Sequence, residues 1–427
     1  MRLLTQTLSV VLLAAMFAPT GANADTLKMV KPESVGMSSA ALKRIDQFAQ
    51  KKIESGTHTG FVSMVARHGK IVHFEATGKM GLDNDAPIKK DTLFRIYSMT
   101  KPVTAVAAMM LYEEGYFQLS DPISKYMPEF KDLQVFHEDG NQPAQSEITI
   151  EHLLTHTAGF SYGFDNVHPV NKLYNSSAIF EAPDLTEFTK KLAQLPLRYE
   201  PGTRYYYSVA TDVLGALVER VSGQPLDTFF QQRIFEPLGM NDTFFSVPAD
   251  KLDRLATNHV WDYENNEIAL VPVERRRSYE NVSLFSGGGG LVSTAMDYMR
   301  FCEMLRAGGR YNGARLLGPK TVQYMSMNQL SDEVRNEGAD EYPAMHLYPG
   351  QSFGLGFGVI TEPGMSQVVS SKGEYSWGGA ADTKFWIDPE EDLVVVLMTQ
   401  LLRAPGETRY QIKVATYQAL DTLGAKQ

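Results

Sequence analysis

The chain has 427 residues, of which 43% are hydrophobic and 21% charged, and its formal net charge is -10. This composition is typical of a globular enzyme, and the length fits two or three domain-sized units or one larger fold with an insertion. The acidic balance argues against nucleic acid as a partner. We expect the densest basic run, Arg275-Arg276-Arg277, to lie on a solvated face or in local ion pairs.

The N-terminus has the pattern of a signal peptide. Arg2 precedes an apolar run centred on residues 9–18, and Ala22-Asn23-Ala24 offers a cleavage site. The apolar run is too short for a membrane span. We therefore predict that residues 1–24 are removed and that the protein is exported, periplasmic or secreted, without a stable membrane anchor.

Residues 61–78 are rich in β-branched side chains and predict two strands joined by a turn at residues 68–70. After Ser98, apolar residues recur at helical spacing and predict an amphipathic helix that ends near Gly115. That spacing is followed by Val103, Val106, Ala107, Met110 and Leu111. Helical patterns continue at residues 211–223 and 226–239, each ending at a glycine.

Strand patterns return near the C-terminus, at residues 353–360, 382–388 and 392–400, and a turn at 389–392 makes the last two a hairpin. A final helix is predicted over 408–423. Strands thus flank a helical middle, which indicates an α+β fold with one sheet built from both chain ends. We predict a sheet domain of residues 25–100 plus 286–427 and a mainly helical inserted domain of residues 101–285.

Ser98-Met99-Thr100-Lys101 has the S-x-x-K spacing of a nucleophilic serine and its lysine. Residues three apart share one helix face, so the hydroxyl and the amine should lie within reach of each other. A free lysine has a pKa near ~10.4, so it needs desolvation or a second cation to act as a base. Alternatively, a charged Lys101 could hold a neighbouring tyrosine as phenolate.

The residues around Ser98 resemble the nucleophile region of the serine β-lactamase and penicillin-binding-protein superfamily, in its class C branch. Further stretches that resemble this family are residues 148–160, 201–223, 234–245, 287–301 and 375–400. The most similar variant is the family VIII carboxylesterases. The resemblance implies a β-lactamase/transpeptidase-like fold, with an antiparallel sheet flanked by helices.

The resemblance also implies roles for single residues. Ser98 matches the family nucleophile, Lys101 its lysine, and Tyr207 the catalytic tyrosine, with Tyr205 and Tyr206 as competitors. The family's Tyr-x-Asn motif lacks its asparagine, since Val209 stands near that place. This loss weakens a β-lactamase assignment and favours an esterase.

Trp377-Gly378-Gly379 matches the family's third motif, which is otherwise Lys-Thr-Gly or His-x-Gly. Tryptophan at this place resembles the esterases and removes a cation that could bind a β-lactam carboxylate. The resemblance implies that Ala380 supplies the second oxyanion-hole N–H beside that of Ser98. The two glycines allow the strand backbone to approach the acyl group closely.

A second serine, Ser161, lies in a G-x-S-x-G sequence that spans residues 159–163. The strand before, the helix after and the later Asp and His of a nucleophile elbow are not evident. We interpret Ser161 as part of a loop near the mouth of the site. Phe160, Tyr162 and Phe164 are then candidates for lining the acyl or alcohol pocket.

Three other motifs are interpreted as structural. His152 and His156 have zinc spacing but lack the glutamate of H-E-x-x-H. The glycine run 287–290 has no P-loop continuation and predicts a tight backbone passage, and Cys302 is expected to be buried as a small apolar residue. No metal or cofactor is expected.

The sequence therefore predicts a serine hydrolase that cleaves small or short-chain esters through an acyl-enzyme on Ser98. One alternative is a penicillin-recognising peptidase or weak β-lactamase that acts on amides. Another is a non-catalytic cell-wall-binding relative.

Overall fold

The computed structural model describes residues 27–275, 277–338, 347–406 and 408–424, so the predicted signal peptide lies outside the described residues. The strands are β1 (Gly60–Arg67), β2 (Lys70–Gly81), β3 (Asn84–Pro87), β4 (Phe94–Arg95), β5 (Gln134–Val135), β6 (Gln142–Pro143), β7 (His259–Asp262), β8 (Glu267–Leu270), β9 (Val292–Ser293), β10 (Arg310–Tyr311), β11 (Ala314–Arg315), β12 (Gln351–Phe353), β13 (Gly358–Ile360), β14 (Tyr375–Gly378), β15 (Lys384–Asp388), β16 (Leu393–Met398) and β17 (Leu401–Leu402).

The helices are α1 (Ser39–Glu54), α2 (Thr100–Glu113), α3 (Ile150–Leu154), α4 (Pro169–Ser176), α5 (Leu185–Leu192), α6 (Ala210–Ser222), α7 (Leu226–Phe230), α8 (Glu236–Leu238), α9 (Ala295–Arg306), α10 (Pro319–Met325), α11 (Asp332–Asn336) and α12 (Thr408–Tyr417). None of the described helices is both long enough and apolar enough to cross a membrane.

The main sheet is antiparallel and has the strand order β12-β13-β14-β15-β16-β1-β2-β3. Its centre joins the two ends of the chain, since β1 pairs with β16 in the register Val62 to Met398 and Met64 to Val396. The predicted sheet built from both chain ends is therefore confirmed. The predicted hairpin of β15 and β16 is also present.

Both faces of this sheet are covered, which explains why β1 is buried along its whole length. Successive side chains of a strand point to opposite faces. Val62 and Met64 pack into the larger core, on the side of α2 and α9, whereas Phe61 and Val65 pack into the smaller core against α1 and α12. The apolar run in the sequence reflects burial on two sides.

Helix α2 begins two residues after Ser98 and is buried on all sides from Thr100 to Leu111. The predicted helix is present, but it is a central helix rather than an amphipathic one. Its small and apolar side chains permit close packing all round. A rigid central helix fixes the position of the turn that carries Ser98.

Three predicted elements differ in detail. Residues 353–360 form the hairpin of β12 and β13 rather than one strand, because Gly356 turns the chain at φ +91°. Residues 226–239 divide into α7, a π-helical segment (Gln231–Phe235) and α8. Helix α12 ends at Tyr417, earlier than predicted.

Candidate active site

Ser98 lies in a 3₁₀ turn, Tyr97–Met99, between β4 and the start of α2. Tyr97 holds a left-handed backbone conformation with φ 44°, a strained geometry that is frequent at functional sites. Ser98 is half-buried and lines a cavity of about 960 Å³. The turn thus presents the hydroxyl of Ser98 to a space that can hold a small substrate.

Lys101 follows one helical turn after Ser98, and its side chain is almost completely buried. Its ammonium nitrogen donates hydrogen bonds to the hydroxyl of Ser98 at 3.3 Å and to the carbonyl of Gly288 at 2.6 Å. A third bond, at 3.0 Å, goes to the hydroxyl of Tyr162. All three donors of an ammonium group therefore have acceptors.

The hydroxyl of Tyr162 connects Lys101 to a buried carboxylate. It lies 3.4 Å from Oδ2 of Asp212, and Oδ1 of the same carboxylate accepts from the hydroxyl of Ser286 at 2.5 Å and from the N–H of Gly288 at 3.0 Å. Burial, reinforced by the Asp212 carboxylate and by Tyr207, raises the pKa of Tyr162 well above its ordinary value. Tyr162 is thus a neutral phenol that donates to Asp212 and accepts from Lys101.

Tyr207 lies on the other side of Lys101, whose ammonium nitrogen is 4.6 Å from the centroid of the Tyr207 ring. The indole N–H of Trp377 donates to the Tyr207 hydroxyl at 3.3 Å. Tyr205 and Tyr206 do not line the cavity and are buried in the core. Of the three consecutive tyrosines, Tyr207 is the one that lies at the site.

The end of β14 lies against the turn that carries Ser98. A Cβ atom at Gly379 would meet the carbonyl oxygen of Ile96 at 2.4 Å, so only glycine permits this approach. The next residue, Ala380, is exposed and lines the cavity. Among the described residues, nothing accepts a hydrogen bond from its N–H. This free donor lies where an oxyanion-hole donor is expected.

Residues 160–164, in and directly after the G-x-S-x-G sequence, differ in their burial. Tyr162 and Phe164 line the cavity. Phe160, which we expected at the pocket, is fully buried and packs edge-on against Phe130 in the core. Ser161 is also fully buried, and its hydroxyl donates to Asn171 and accepts from the N–H of Gly163. Ser161 therefore stabilises a turn and has no access to substrate.

Two residues of the site, Asp212 and Gly288, were not identified from the sequence. Gly288 lies in the glycine run, whose predicted tight passage is confirmed: a Cβ at Gly288 would lie 2.3 Å from Asp212 Oδ2 and 2.8 Å from the Tyr162 hydroxyl. The run of glycines was the available signal for a close approach. Nothing in the sequence around Asp212 indicated that its side chain would meet Tyr162.

The basic run was predicted to lie on a solvated face or in local ion pairs. Arg275 and Arg277 are exposed, in agreement with the first alternative, and they also line the cavity; Arg276 is outside the described residues. His152 caps α3, where the N–H of Thr149 donates to its Nδ1 at 3.2 Å. The described part of the chain contains no cluster of residues suited to a metal ion. Cys302 is buried, as expected.

Comparison with known proteins identifies the family of this chain. Protein Rv1367c from Mycobacterium tuberculosis is 37% identical over 358 residues, which cover 81% of this chain and 87% of that protein. Esterase EstB from Burkholderia gladioli is 31% identical over 394 residues, covering 88% of this chain and 94% of EstB.

Among solved structures, EstCE1, described as a hydrolase with promiscuous acyltransferase activity, superposes with a TM-score of 0.76 at 28% identity and covers 88% of this chain and 99% of that chain. The Beta-lactamase family model matches residues 45–418. The chain therefore belongs to the serine β-lactamase-like superfamily, close to the family VIII carboxylesterases.

Proposed function

We propose that this protein is a serine carboxylesterase that cleaves small or short-chain esters through an acyl-enzyme on Ser98. The observation that carries the proposal is the position of Lys101, which donates to the hydroxyls of both Ser98 and Tyr162 and lies against the ring of Tyr207. The similarity to EstB and EstCE1 supports an esterase on this fold.

The contacts of Lys101 fix its amine group in the site, since its nitrogen donates to Ser98, Tyr162 and the carbonyl of Gly288. The same nitrogen lies 4.6 Å from the centroid of the Tyr207 ring. Tyr207 is then the base that takes the proton from Ser98 as its oxygen attacks the ester carbonyl. Tyr162 does not compete for this role, because its raised pKa keeps it protonated.

The tetrahedral oxyanion is held by the N–H groups of Ser98 and Ala380, as the family motif implies. Tyr207 returns the proton to the leaving alcohol, and the ester C–O bond breaks. Water, deprotonated in turn by Tyr207, then attacks the acyl-enzyme and releases the carboxylic acid. Every step uses side chains and backbone groups at the cavity wall.

An ester rather than an amide is favoured by two substitutions. Val209 replaces the asparagine that contacts the amide side chain of β-lactams, and Trp377 replaces a cation at the third motif. The walls nearest Tyr207 are aromatic, with Tyr162, Phe164 and Trp377 at the surface of the cavity. These walls suit short apolar groups.

The decisive experiment is labelling with a fluorophosphonate, followed by location of the adduct by peptide mass. We expect the adduct on Ser98, competition by p-nitrophenyl butyrate, and no label in Ser98→Ala. Ser161→Ala, a matched serine change in the competing motif, should label like the wild type. An adduct on Ser161, or none at all, would refute the proposal.

The choice of substrate distinguishes two other activities that the same active site could have. Hydrolysis of nitrocefin at a rate comparable to that of p-nitrophenyl butyrate would indicate a β-lactamase or penicillin-recognising peptidase. Formation of methyl butyrate in aqueous methanol would indicate acyl transfer, a second candidate because the similar protein EstCE1 is described as having promiscuous acyltransferase activity.

We further propose that the protein is exported. The support is the N-terminal pattern of Arg2, the apolar run and Ala22-Asn23-Ala24. Expression of the full chain in a Gram-negative host should yield a periplasmic protein whose N-terminus is Asp25; an intact N-terminus in the cytoplasm would contradict this.

A further inference from the structure

The cavity that contains Ser98 has a charge opposite to that of the chain. The chain carries 50 acidic and 40 basic residues, yet no described residue that lines the cavity is acidic. Its basic lining residues are Arg275, Arg277, Lys384, Arg403, Arg409 and Lys413. A cationic cleft in an acidic protein concentrates the positive potential at one place and attracts anionic ligands.

Lys384 is one of these basic lining residues and lies close to two others, Arg409 and Lys413. It lies on β15, and its ammonium group donates to the hydroxyl of Ser376 on β14 at 3.0 Å. Among the described residues it has no carboxylate within ion-pair distance, and burial together with the positive charges of Arg409 and Lys413 lowers its pKa to about 7. An anion at this place would supply the missing counter-charge.

The neighbouring cations are already neutralised. The guanidinium of Arg409 lies 2.8 Å from Asp382, and the ammonium of Lys413 lies 2.6 Å from Glu374. Of these three neighbouring basic residues, Lys384 is the one without a carboxylate partner among the described residues. One singly charged group, such as a carboxylate, would pair with it and favour its charged form.

A second observation also indicates a ligand at this end of the cavity. Trp386 stands two residues after Lys384 on the same face of β15 and lines the same cavity. Its indole N–H is buried and has no acceptor among the described residues. A buried donor without a partner costs free energy, on the order of 1–3 kcal/mol, unless a ligand or a water molecule supplies the acceptor.

The part of the cavity around Lys384 and Arg409 lies next to the part around Trp377 and Tyr207. Arg409 donates to the carbonyl of Gly379, and a Cβ at Gly378 would lie 2.8 Å from the Arg409 guanidinium. Gly378 directly follows Trp377, whose indole N–H contacts Tyr207. Because Ser98 and Lys384 line the same cavity, a substrate whose ester carbonyl lies at Ser98 can extend toward Lys384.

We propose that the Lys384 end of the cavity binds a carboxylate of the substrate, so that the preferred substrates are small esters that carry one additional free carboxylate. Lys384 supplies the counter-charge and Trp386 a second hydrogen-bond donor, which suits the two oxygens of a carboxylate. This inference rests on the proposed esterase function and defines its substrate class.

The test compares matched pairs of anionic and neutral esters. The first pair is 3-acetoxybenzoate and 3-acetoxybenzamide, with the charge on the alcohol side; the second is monomethyl adipate and methyl hexanoate, with the charge on the acyl side. We expect the wild type to favour the anionic member of at least one pair in kcat/KM. In Lys384→Met this ratio should fall about tenfold, the effect of one lost charge-assisted hydrogen bond.

Control variants distinguish the effect of the charge at Lys384 from the effect of the net charge of the protein. Lys384→Arg should keep the preference. Lys43→Met removes a positive charge from the exposed surface of α1 and should also keep it; Lys384→Gln replaces Lys384→Met if that variant does not fold. No preference in either pair, or a preference that survives loss of the Lys384 charge, would overturn the inference.

Failure of the esterase function is recognised separately. If the wild type hydrolyses none of the four esters, titration with glutarate followed by tryptophan fluorescence still tests the subsite, because Trp386 lies in its wall. A saturable change in the wild type that is absent in Lys384→Met supports carboxylate binding. No change in the wild type refutes it.

Discussion

The ammonium group of Lys101 donates to the hydroxyl of Tyr162 at 3.0 Å, a shorter distance than the 3.3 Å to Ser98. Tyr162 in turn reaches the buried carboxylate of Asp212. Lys101 is thus connected to a carboxylate through a neutral phenol, and it forms no direct ion pair among the described residues. This arrangement leaves the ammonium group near both Ser98 and Tyr207.

Tyr162→Phe should lower kcat about 10–100-fold, because Lys101 loses one acceptor and its connection to Asp212. The ring remains, so contacts with Phe164 and Phe180 persist and KM for a short neutral ester should change little. Steady-state kinetics over a range of pH measures both constants. Equal losses in Tyr162→Phe and in the control Tyr205→Phe, a core tyrosine, would argue against a specific role.

Tyr207→Phe should lower kcat about 10²–10⁴-fold, the usual contribution of a general base. Fluorophosphonate labelling of Ser98 should slow in parallel, since attack by the serine needs the same proton acceptor. The matched change Tyr205→Phe alters a hydroxyl without a hydrogen-bond partner among the described residues and should leave kcat nearly unchanged. A Tyr207→Phe enzyme with normal kcat would transfer the role of base to Lys101.

Gly288→Ala should disable the site by crowding. The new methyl would lie 2.3 Å from Asp212 Oδ2 and 2.8 Å from the Tyr162 hydroxyl, so those groups must shift. We expect a destabilisation of about 1–3 kcal/mol, typical of overpacking, together with a large loss of kcat. Gly364→Ala is the control, because nothing lies within 4 Å of its added Cβ. Denaturant unfolding and esterase kinetics measure the two effects.

Stability should fall on acidification below neutral pH because of His152. Burial lowers the pKa of His152 to about 4, from 6.5. The unfolded chain therefore takes up a proton as the pH falls below 6.5, while the folded protein does so only near pH 4. Between these values the contribution of His152 to stability is lost, up to about 3 kcal/mol.

Denaturant unfolding at pH 7.0 and pH 5.0 checks this expectation. The loss of stability between the two pH values should be smaller in His152→Gln than in the wild type. An unchanged difference would assign the pH dependence to other groups. His73, whose pKa burial also lowers to about 4, is the next candidate.

Much of the architecture followed from local sequence patterns. The hairpin of β1 and β2, helix α2 and the hairpin of β15 and β16 were predicted because periodicity and turn residues act over a few neighbouring positions. Residues 353–360 were predicted as one strand because this stretch is short and apolar, whereas the turn between β12 and β13 depends on the left-handed backbone of Gly356.

Local sequence patterns likewise account for some contacts in the site and not for others. Ser98 and Lys101 are three residues apart, so helix geometry alone places them together. Tyr162, Asp212 and Gly288 meet through packing of segments that are 50 to 187 residues from their partners in the network, and no short-range pattern reports such contacts. The burial of Phe160 beside the exposed Phe164 likewise depends on which face of the loop meets the core.

The sequence by itself indicated the sheet made from both chain ends, through strand periodicity and turn chemistry that act over a few positions. It also predicted Ser98 and Lys101, rather than Ser161, as the nucleophile and its lysine, from the S-x-x-K spacing and the resemblance of the surrounding residues to a known family. Only the tertiary structure decided that Tyr162 bridges Lys101 to Asp212, and that a cavity in an acidic protein is lined by basic residues. Those features arise because folding brings distant side chains together in a buried region. Low solvent exposure there strengthens electrostatic interactions and hydrogen bonds.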